Sequence, residues 1–316
     1  MNNYEFQLRP AQPEDFQAVL DLIIAFDVAV LGFPDTTADD LRAAWQQPRF
    51  NLATDAWVAT QADGRLVGYG EVWTRDPRNR LDCDLYALPA LDEPERQAVC
   101  LALFDHAQAR VAGHVATAPP GAALKLRQGI VHGKEPFMQR LLETNGFEVV
   151  RHFWRMEIGL TAPPAPPAWP ANITLRPFDL AADVHAVHAA VEEAFEDHWE
   201  HTYTPFEEWA AWNLERSNLD PTLWFLAQDG AEIAGAALCF PELDGGWVRL
   251  LSVRRPWRRL GLGQALLQQA FGEFYRRGRR WVGLGVDASN PTGATRLYER
   301  AGMQVKKPFD LYQKVV

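Results

Sequence analysis

Cysteine is scarce in this chain. The three present, Cys83, Cys100 and Cys239, form no Cys-x-x-Cys pair and no metal-ligand spacing. Each sits in an apolar stretch, which points to buried small hydrophobes in a reducing compartment. Disulfides, a thiol-based metal centre and a catalytic cysteine are disfavoured. A segment long and apolar enough to span a membrane is also missing, since the longest candidate, Ala18–Phe33, is interrupted by Asp21 and Asp27. The opening MNNYEFQLRP has neither a charged n-region nor an apolar h-region, so no signal peptide is expected. Positive charge is in deficit, with a net charge of -10 and a pI near 5.3. That weighs against a nucleic-acid binder, which would be basic. These absences together predict a cytoplasmic protein with no membrane or nucleic-acid partner.

What is present begins with length. A chain of 316 residues is too long for one core and suggests two domains. Residues 161–171, TAPPAPPAWPA, form the one strongly proline-rich stretch. Repeated proline favours an extended spacer, so this segment is expected to link domains 1–160 and 172–316. The other reading is a long surface loop within one domain. The halves repeat each other. A shift of 167 residues carries Leu8-Arg9-Pro10 onto Leu175-Arg176-Pro177, Trp57 onto Trp224, Gly68 onto Gly235, Pro89 onto Pro256 and Phe104 onto Phe271. Further on, Asn145-Gly146-Phe147 matches Ala301-Gly302-Met303 at a shift of 156, so the first half carries about eleven extra residues. The loop HVATAPPGAA at 114–123 is the candidate for them. Duplication is the simplest account. Each half reads as strand, helix, amphipathic segment, hairpin, strand, long helix, strand, short helix and closing strand. This is an α+β unit with a mixed sheet flanked by helices.

The segment Val248–Gly263, VRLLSVRRPWRRLGLG, runs from a strand through a glycine-bearing turn into the helix QALLQQAFGEFYRR. Glycines at 261 and 263 allow close backbone approach. Free amides and the dipole at a helix start make a pyrophosphate site, with Arg258 and Arg259 adding charge at the rim. The pattern is neither a dinucleotide-binding fingerprint nor a P-loop, because the third glycine and the Gly-Lys-Ser/Thr are missing. About thirty residues on comes Asn290-Pro291-Thr292-Gly293-Ala294-Thr295-Arg296-Leu297-Tyr298, continuing to Gly302-Met303.

This pair of motifs resembles the GCN5-related N-acetyltransferase family, in which Arg/Gln-x-x-Gly-x-Gly/Ala precedes an Asn…Ala…Leu-Tyr…Gly-Phe segment. Met303 replaces the usual Phe. The resemblance implies two tandem units, each with a mixed, mostly antiparallel sheet, and acetyl-CoA as acyl donor without a metal. It implies that the backbone of Leu251, Ser252 and Val253 pairs with the pantetheine arm. The amides of Arg259, Leu260, Gly261, Leu262, Gly263 and Gln264, with Arg258 beside them, would hold the pyrophosphate. Asn290 would bond the cofactor, and Tyr298 would be the general acid. Among Arg276, Arg277, Arg279 and Arg280, one could reach the 3′-phosphate, although a solvated helix end explains them as well.

In the first half the corresponding loop is Leu91-Asp92-Glu93-Pro94-Glu95-Arg96, acidic and without glycine, and Tyr298 maps onto Leu142. That half is therefore expected to be degenerate and to support the active one. Tandem members of the family carry a glutamate on the strand before the loop, where Trp247 stands here. The base or amine anchor is then expected in the acid-, His- and Trp-rich stretch EDHWEH, at Glu196, Asp197, His198, Glu200 or His201. A solvated helix with packing tryptophans is the competing reading, and a zinc site from His198 and His201 is the weaker alternative. The expected acceptor is a primary amine of a small molecule. A protein N terminus, or a non-catalytic acyl-CoA sensor, are the alternatives.

Overall fold

A computed structural model describes residues 5–47, 49–76, 80–118, 121, 123–290 and 292–316. The first repeat runs β1 Phe6–Pro10, α1 Phe16–Leu31, α2 Ala38–Trp45, α3 Leu52–Asp55, β2 Ala56–Gln61, β3 Leu66–Asp76, β4 Arg80–Ala87, α4 Glu93–Thr117, β5 Lys125–Val131, α5 Pro136–Thr144 and β6 Glu148–Gly159. The second runs β7 Ile173–Pro177, α6 Val184–Phe195, α7 Phe206–Asn213, β8 Trp224–Asp229, β9 Glu232–Pro241, β10 Gly246–Val253, α8 Leu262–Arg276, β11 Trp281–Asp287, α9 Ala294–Arg300 and β12 Gln304–Val315. The two shifts read from the sequence carry β1 onto β7, β5 onto β11 and β6 onto β12 without a change in length.

Two compact units result, but their limits are not those of the repeats. One comprises residues 1–152 and 309–316, the other residues 153–308. In the first unit the sheet order is β1-β2-β3-β4-β5 and then β12. In the second it is β7-β8-β9-β10-β11 and then β6. The duplicated halves have exchanged their last strands. Phe309–Val315 pairs antiparallel with β5, and Phe153–Gly159 pairs antiparallel with β11. Within each unit every pairing is antiparallel except one, β4 with β5 and β10 with β11.

The exchange corrects the expected boundaries. Because β6 already belongs to the second unit's sheet, residues 161–171 lie inside that unit. Trp169 packs on its core, and Leu160 N–H donates to the Arg280 carbonyl at 2.7 Å. The proline-rich segment is thus a strap within one unit. The extra residues of the first repeat also fall partly elsewhere than expected. α4 continues to Thr117 and is a 25-residue helix against 15 for α8, so part of the supposed loop is helical. Pro119, Pro120 and Ala122 of that stretch lie outside the described residues.

Each sheet is covered on both faces. In the second unit α8 buries Leu266, Leu267, Phe271 and Phe274 on one face, and α6 and α7 bury Val187, Val191 and Trp209 on the other. In the first unit Leu103 and Phe104 of α4 fill one face, and Leu20 and Ile23 of α1 the other. The three cysteines are buried and unpaired. No helix among the described residues is long and apolar enough to cross a membrane.

The recurring Leu-Arg-Pro has a physical purpose. Arg176 bonds Asp183 in a two-pronged pair, Nη1 to Oδ2 at 2.6 Å and Nη2 to Oδ1 at 2.8 Å, and Nη1 also donates to the Pro177 carbonyl. Arg9 and Asp15 repeat this with both bonds at 2.7 Å. The fork fastens the first strand of each unit to the start of the following helix. The hydrogen bonds from Arg176 hold the Asp183 carboxyl below the usual range. Its stabilising effect is therefore present above the unfolded carboxylate pKa and is lost as pH falls through the depressed folded value. Asp183→Asn should cost about 1 kcal/mol at neutral pH, typical of a surface-accessible pair. Urea unfolding should show the loss at pH 7 and a smaller one below pH 3.

Candidate functional site

The second unit's site begins where two strands part. β10 pairs with β11 at Gly246↔Val282 and Trp247↔Gly283, and no further. Its pairing with β9 continues to Val253↔Gly235, interrupted by a bulge at Arg249. From Val248 onward, the edge of β10 that faced β11 has no strand neighbour among the described residues. Glycine makes the approach just before this point possible. A Cβ on Gly246 would collide with the Phe274 ring, and one on Gly283 would meet the Trp247 ring at 2.7 Å. Trp247 therefore lies across Gly283 where the strands separate. The Arg155 guanidinium lies 4.6 Å from the Trp247 ring centre and bonds Glu157 at 2.7 Å. Two positions along β11, Gly285 is exposed, with nothing within 4 Å of where a Cβ would stand.

The strand leads into the loop that opens α8. Arg259 (φ 64°) and Gly261 (φ 88°) both take left-handed backbone, and Gly261 is the N-cap with no side-chain cap. A single left-handed residue in an L-chain costs roughly 1–2 kcal/mol unless it is glycine. Two of them here aim the first amides of α8 outward without intrahelical acceptors. Gly263 lets Leu297 of α9 approach, since a Cβ there would meet its side chain at 3.3 Å. Thus α9 sits beside the start of α8. Tyr298 on α9 is buried, and its hydroxyl has no hydrogen-bond partner among the described residues. Burial pushes its pKa up to about 12. Leu251 and Val253 pack on the α8 side of the sheet, while Ser252 is buried and donates to the Ala236 carbonyl.

The sequence-predicted residues divide into two groups. Leu251, Ser252, Val253, Leu260, Gly261, Leu262, Gly263, Gln264 and Tyr298 lie on the parted strand, the loop, α8 and α9 as described. Asn290 shapes the turn into α9, its Oδ1 accepting from Thr292 N–H at 2.8 Å. Pro291 lies outside the described residues. Arg258 is placed otherwise than expected. Its guanidinium donates to the carbonyls of Val253 and Ala194 and pairs with Asp197 at 2.6 Å. Its charge is committed to the protein, leaving exposed Arg259 as the cation at the rim. Arg276 and Arg277 pair with Glu273, Arg277 also with Asp220, and Arg279 binds the carbonyls of Glu242 and Leu243.

The EDHWEH stretch follows α6. Asp197 is gripped by Arg255 and Arg258, and Glu196 by Arg255. Those arginine hydrogen bonds depress the Asp197 carboxyl far below the usual range, making it a poor base. His198 lies against the Phe195 ring, with centroids 4.3 Å apart. Burial first, and then the nearby His201, lower its pKa. His201 Nε2 approaches Glu192 Oε2 at 3.4 Å, and the same oxygen accepts from Thr204 N–H. Glu200 takes a left-handed φ of 49°. Sequence reasoning missed Glu192, Asp287 and the Arg155–Trp247 stack. Asp287, at the end of β11, acts on His198 through its charge, a neighbour no spacing in the sequence reveals.

Known proteins share this fold. Residues 184–303 match the acetyltransferase (GNAT) family model. A GCN5-related N-acetyltransferase from Sphaerobacter thermophilus superposes with a TM-score of 0.79 at 34% identity, covering 98% of this chain and 95% of that one. The chain belongs to the GCN5-related N-acetyltransferase family and is an acetyltransferase. Among its particular relatives, the mycothiol acetyltransferase of Salinispora tropica is 31% identical over 260 residues, 78% of this chain and 76% of that protein. The mycothiol acetyltransferase of Thermobispora bispora is 32% identical over 182 residues, which span 54% of this chain and 60% of that protein.

The two strands can approach before they part because Gly246, at the first of their two paired steps, carries no side chain. Gly246→Ala forces a methyl group into the Phe274 ring and should lower stability by about 1–3 kcal/mol, as overpacking does. Thermal unfolding of the variant, with Gly272→Ala as the uncrowded helical control, checks this.

Proposed function

We propose that the chain moves an acetyl group from acetyl-CoA to a primary amine of a small molecule, using the second unit alone. The observation that carries this reading is the conjunction at one place of an unpaired strand edge, an uncapped helix start and a buried tyrosine. The free edge of β10 at Leu251–Val253 offers amides and carbonyls to the amides of a pantetheine arm, as an added strand would. The first turn of α8 supplies N–H groups and dipole to the pyrophosphate, with Arg259 beside it. The relatives named for mycothiol support a small acceptor.

In the transfer, the amine nitrogen forms a bond to the acetyl carbon, and the carbon–sulfur bond breaks with its electrons on sulfur. Tyr298 protonates that sulfur. With its pKa pushed up to about 12, the phenol stays protonated at neutral pH and is available as the acid. Burial that raises the phenol also raises the proton affinity of the thiolate formed beside it, so the two remain matched. The amine must lose its proton before attack. His198, with its pKa lowered by burial, is neutral at pH 7 and can accept it, whereas Asp197 is committed to two arginines.

The first unit lacks the donor site. Asp92 caps α4 with its own carboxylate, accepting from Glu95 N–H at 2.8 Å, so the N–H groups that would hold phosphate meet a negative charge. Calorimetric titration should therefore show one acetyl-CoA per chain, and Gly261→Glu should abolish the binding. Two equivalent sites would overturn the assignment. Tyr298→Phe should lower kcat on the order of 10²-fold, as loss of a general acid does, with donor affinity unchanged.

A second test concerns the base. The acceptor kcat/KM should rise with pH through an apparent pKa below 6.5, because only neutral His198 accepts a proton. That limb should disappear in His198→Gln. A limb unchanged in the variant would move the base to another group.

A further inference from the structure

The first unit repeats the parting of strands. β4 pairs with β5 at Arg80↔Lys125, Leu81↔Leu126 and Asp82↔Arg127, and no further, while β3 stays paired with β4 to Gly68↔Ala87. Here the gap holds a cavity of about 240 Å³. Its position corresponds to the parted strands of the second unit, since Gly129 matches Gly285 at the shift of 156. Its chemistry is different. Among the described residues, four carboxylic ones line it, Asp27, Asp35, Asp84 and Glu135, and no lysine, arginine or histidine does. The aromatic rings of Phe26 and Tyr86 form another part of the wall, edge to face with centroids 5.3 Å apart.

Two polar side chains in the wall lack partners. Gln128 is 4% exposed, and its side-chain amide has no hydrogen-bond partner among the described residues. Neither has the Tyr86 hydroxyl. The electrostatics lean one way as well. Burial raises the Glu135 carboxyl to about 7, with the charge of Asp84 adding to the rise. Burial raises the Tyr86 phenol well above its ordinary value, and Asp84, Glu71, Asp27 and Glu135 all push it further.

We propose that this cavity is a binding site in the first unit for a small organic ammonium ion. An ammonium group brings a positive charge to a wall whose described residues include no lysine, arginine or histidine, and three N–H donors for a wall rich in acceptors. The rings of Phe26 and Tyr86 offer π-faces, which attract a desolvated cation. Glu135 spends one oxygen on Val131 N–H at 2.7 Å, and its other oxygen has no hydrogen-bond partner among the described residues. Gln128 can accept a further bond through its carbonyl. An acyl-CoA is disfavoured here, because its carbonyls and phosphates would meet acceptors and negative charge.

The experiment is calorimetric titration of the full chain with n-butylamine, and with n-butanol as the uncharged counterpart. Gly129→Val is the blocking variant, since Gly129 lines the cavity and a Cβ there meets nothing within 4 Å. Glu135→Gln and Tyr86→Phe keep the shape and remove charge or the hydroxyl. Acetyl-CoA titration of each variant checks that the second unit is intact. The expected result is saturable butylamine binding, weakened at least tenfold by Gly129→Val and by Glu135→Gln, with acetyl-CoA binding unchanged and no binding of butanol. If Gly129→Val fails to fold, Glu135→Gln decides the matter. Butylamine binding that is absent, matched by butanol or untouched by these variants overturns the proposal. So does pantetheine binding that Gly129→Val removes.

Discussion

A backbone edge that loses its neighbour within a sheet must find another partner or stay in water, and the second unit is organised around such a loss. β10 remains bonded to β9 along its length but leaves β11 after Trp247↔Gly283. The neighbouring elements serve that opening. Trp247 sits on Gly283 where the strands part, and α8 begins where the free edge ends. α9 reaches the same place because Gly263 allows Leu297 close to the helix start. A peptide N–H or C=O left unsatisfied when buried costs about 1–3 kcal/mol. A ligand carrying its own amides therefore recovers something that sheet formation left unmade.

The same opening exists in both units, and a single residue type at the helix start separates them. Gly261 begins α8 in left-handed backbone and gives the first turn no side-chain acceptor. Asp92 begins α4 in extended backbone and gives that turn its own carboxylate. One helix start is left available to an outside anion, and the other is already satisfied and negatively charged. The two helix starts thus differ in their capping residue within the same strand order.

Much of this was legible in the sequence because it is local. The strand from Val248, the glycine-bearing turn and the helix that follows derive from period and turn chemistry over a short stretch. The duplication was legible because Leu-Arg-Pro is held in place by a fork to an acidic helix start in both halves. The exchange of last strands was not. β6 and β12 are equivalent and equal in length, so either pairing satisfies the same hydrophobic pattern, and only tertiary structure decides. Arg258 was misread for a related reason. Spacing places it at the phosphate rim, but spacing carries no information about Ala194 and Asp197, some sixty residues earlier, which claim its guanidinium. The same blindness hid Asp287 from view as a neighbour of His198.

That arginine accounts for an oddity of charge. A chain of net charge -10 that concentrates its basic residues around 249–280 looks built to attract an anion by bulk charge. In the folded unit most of that charge is already spent. Arg254 pairs with Glu193 and Glu232, Arg255 with Glu196 and Asp197, and Arg258 with Asp197. These bonds fasten the end of α6 to the loop before α8, so the cations order the loop and add little net field. Recognition of a diphosphate here would then rest on fixed amides, the helix dipole and Arg259. Such short-range groups discriminate by geometry and are less weakened by salt than an exposed cluster of charges would be. An acidic protein could present an anion site in this way, since what would matter is the direction in which a few N–H groups point once the loop around them is held still.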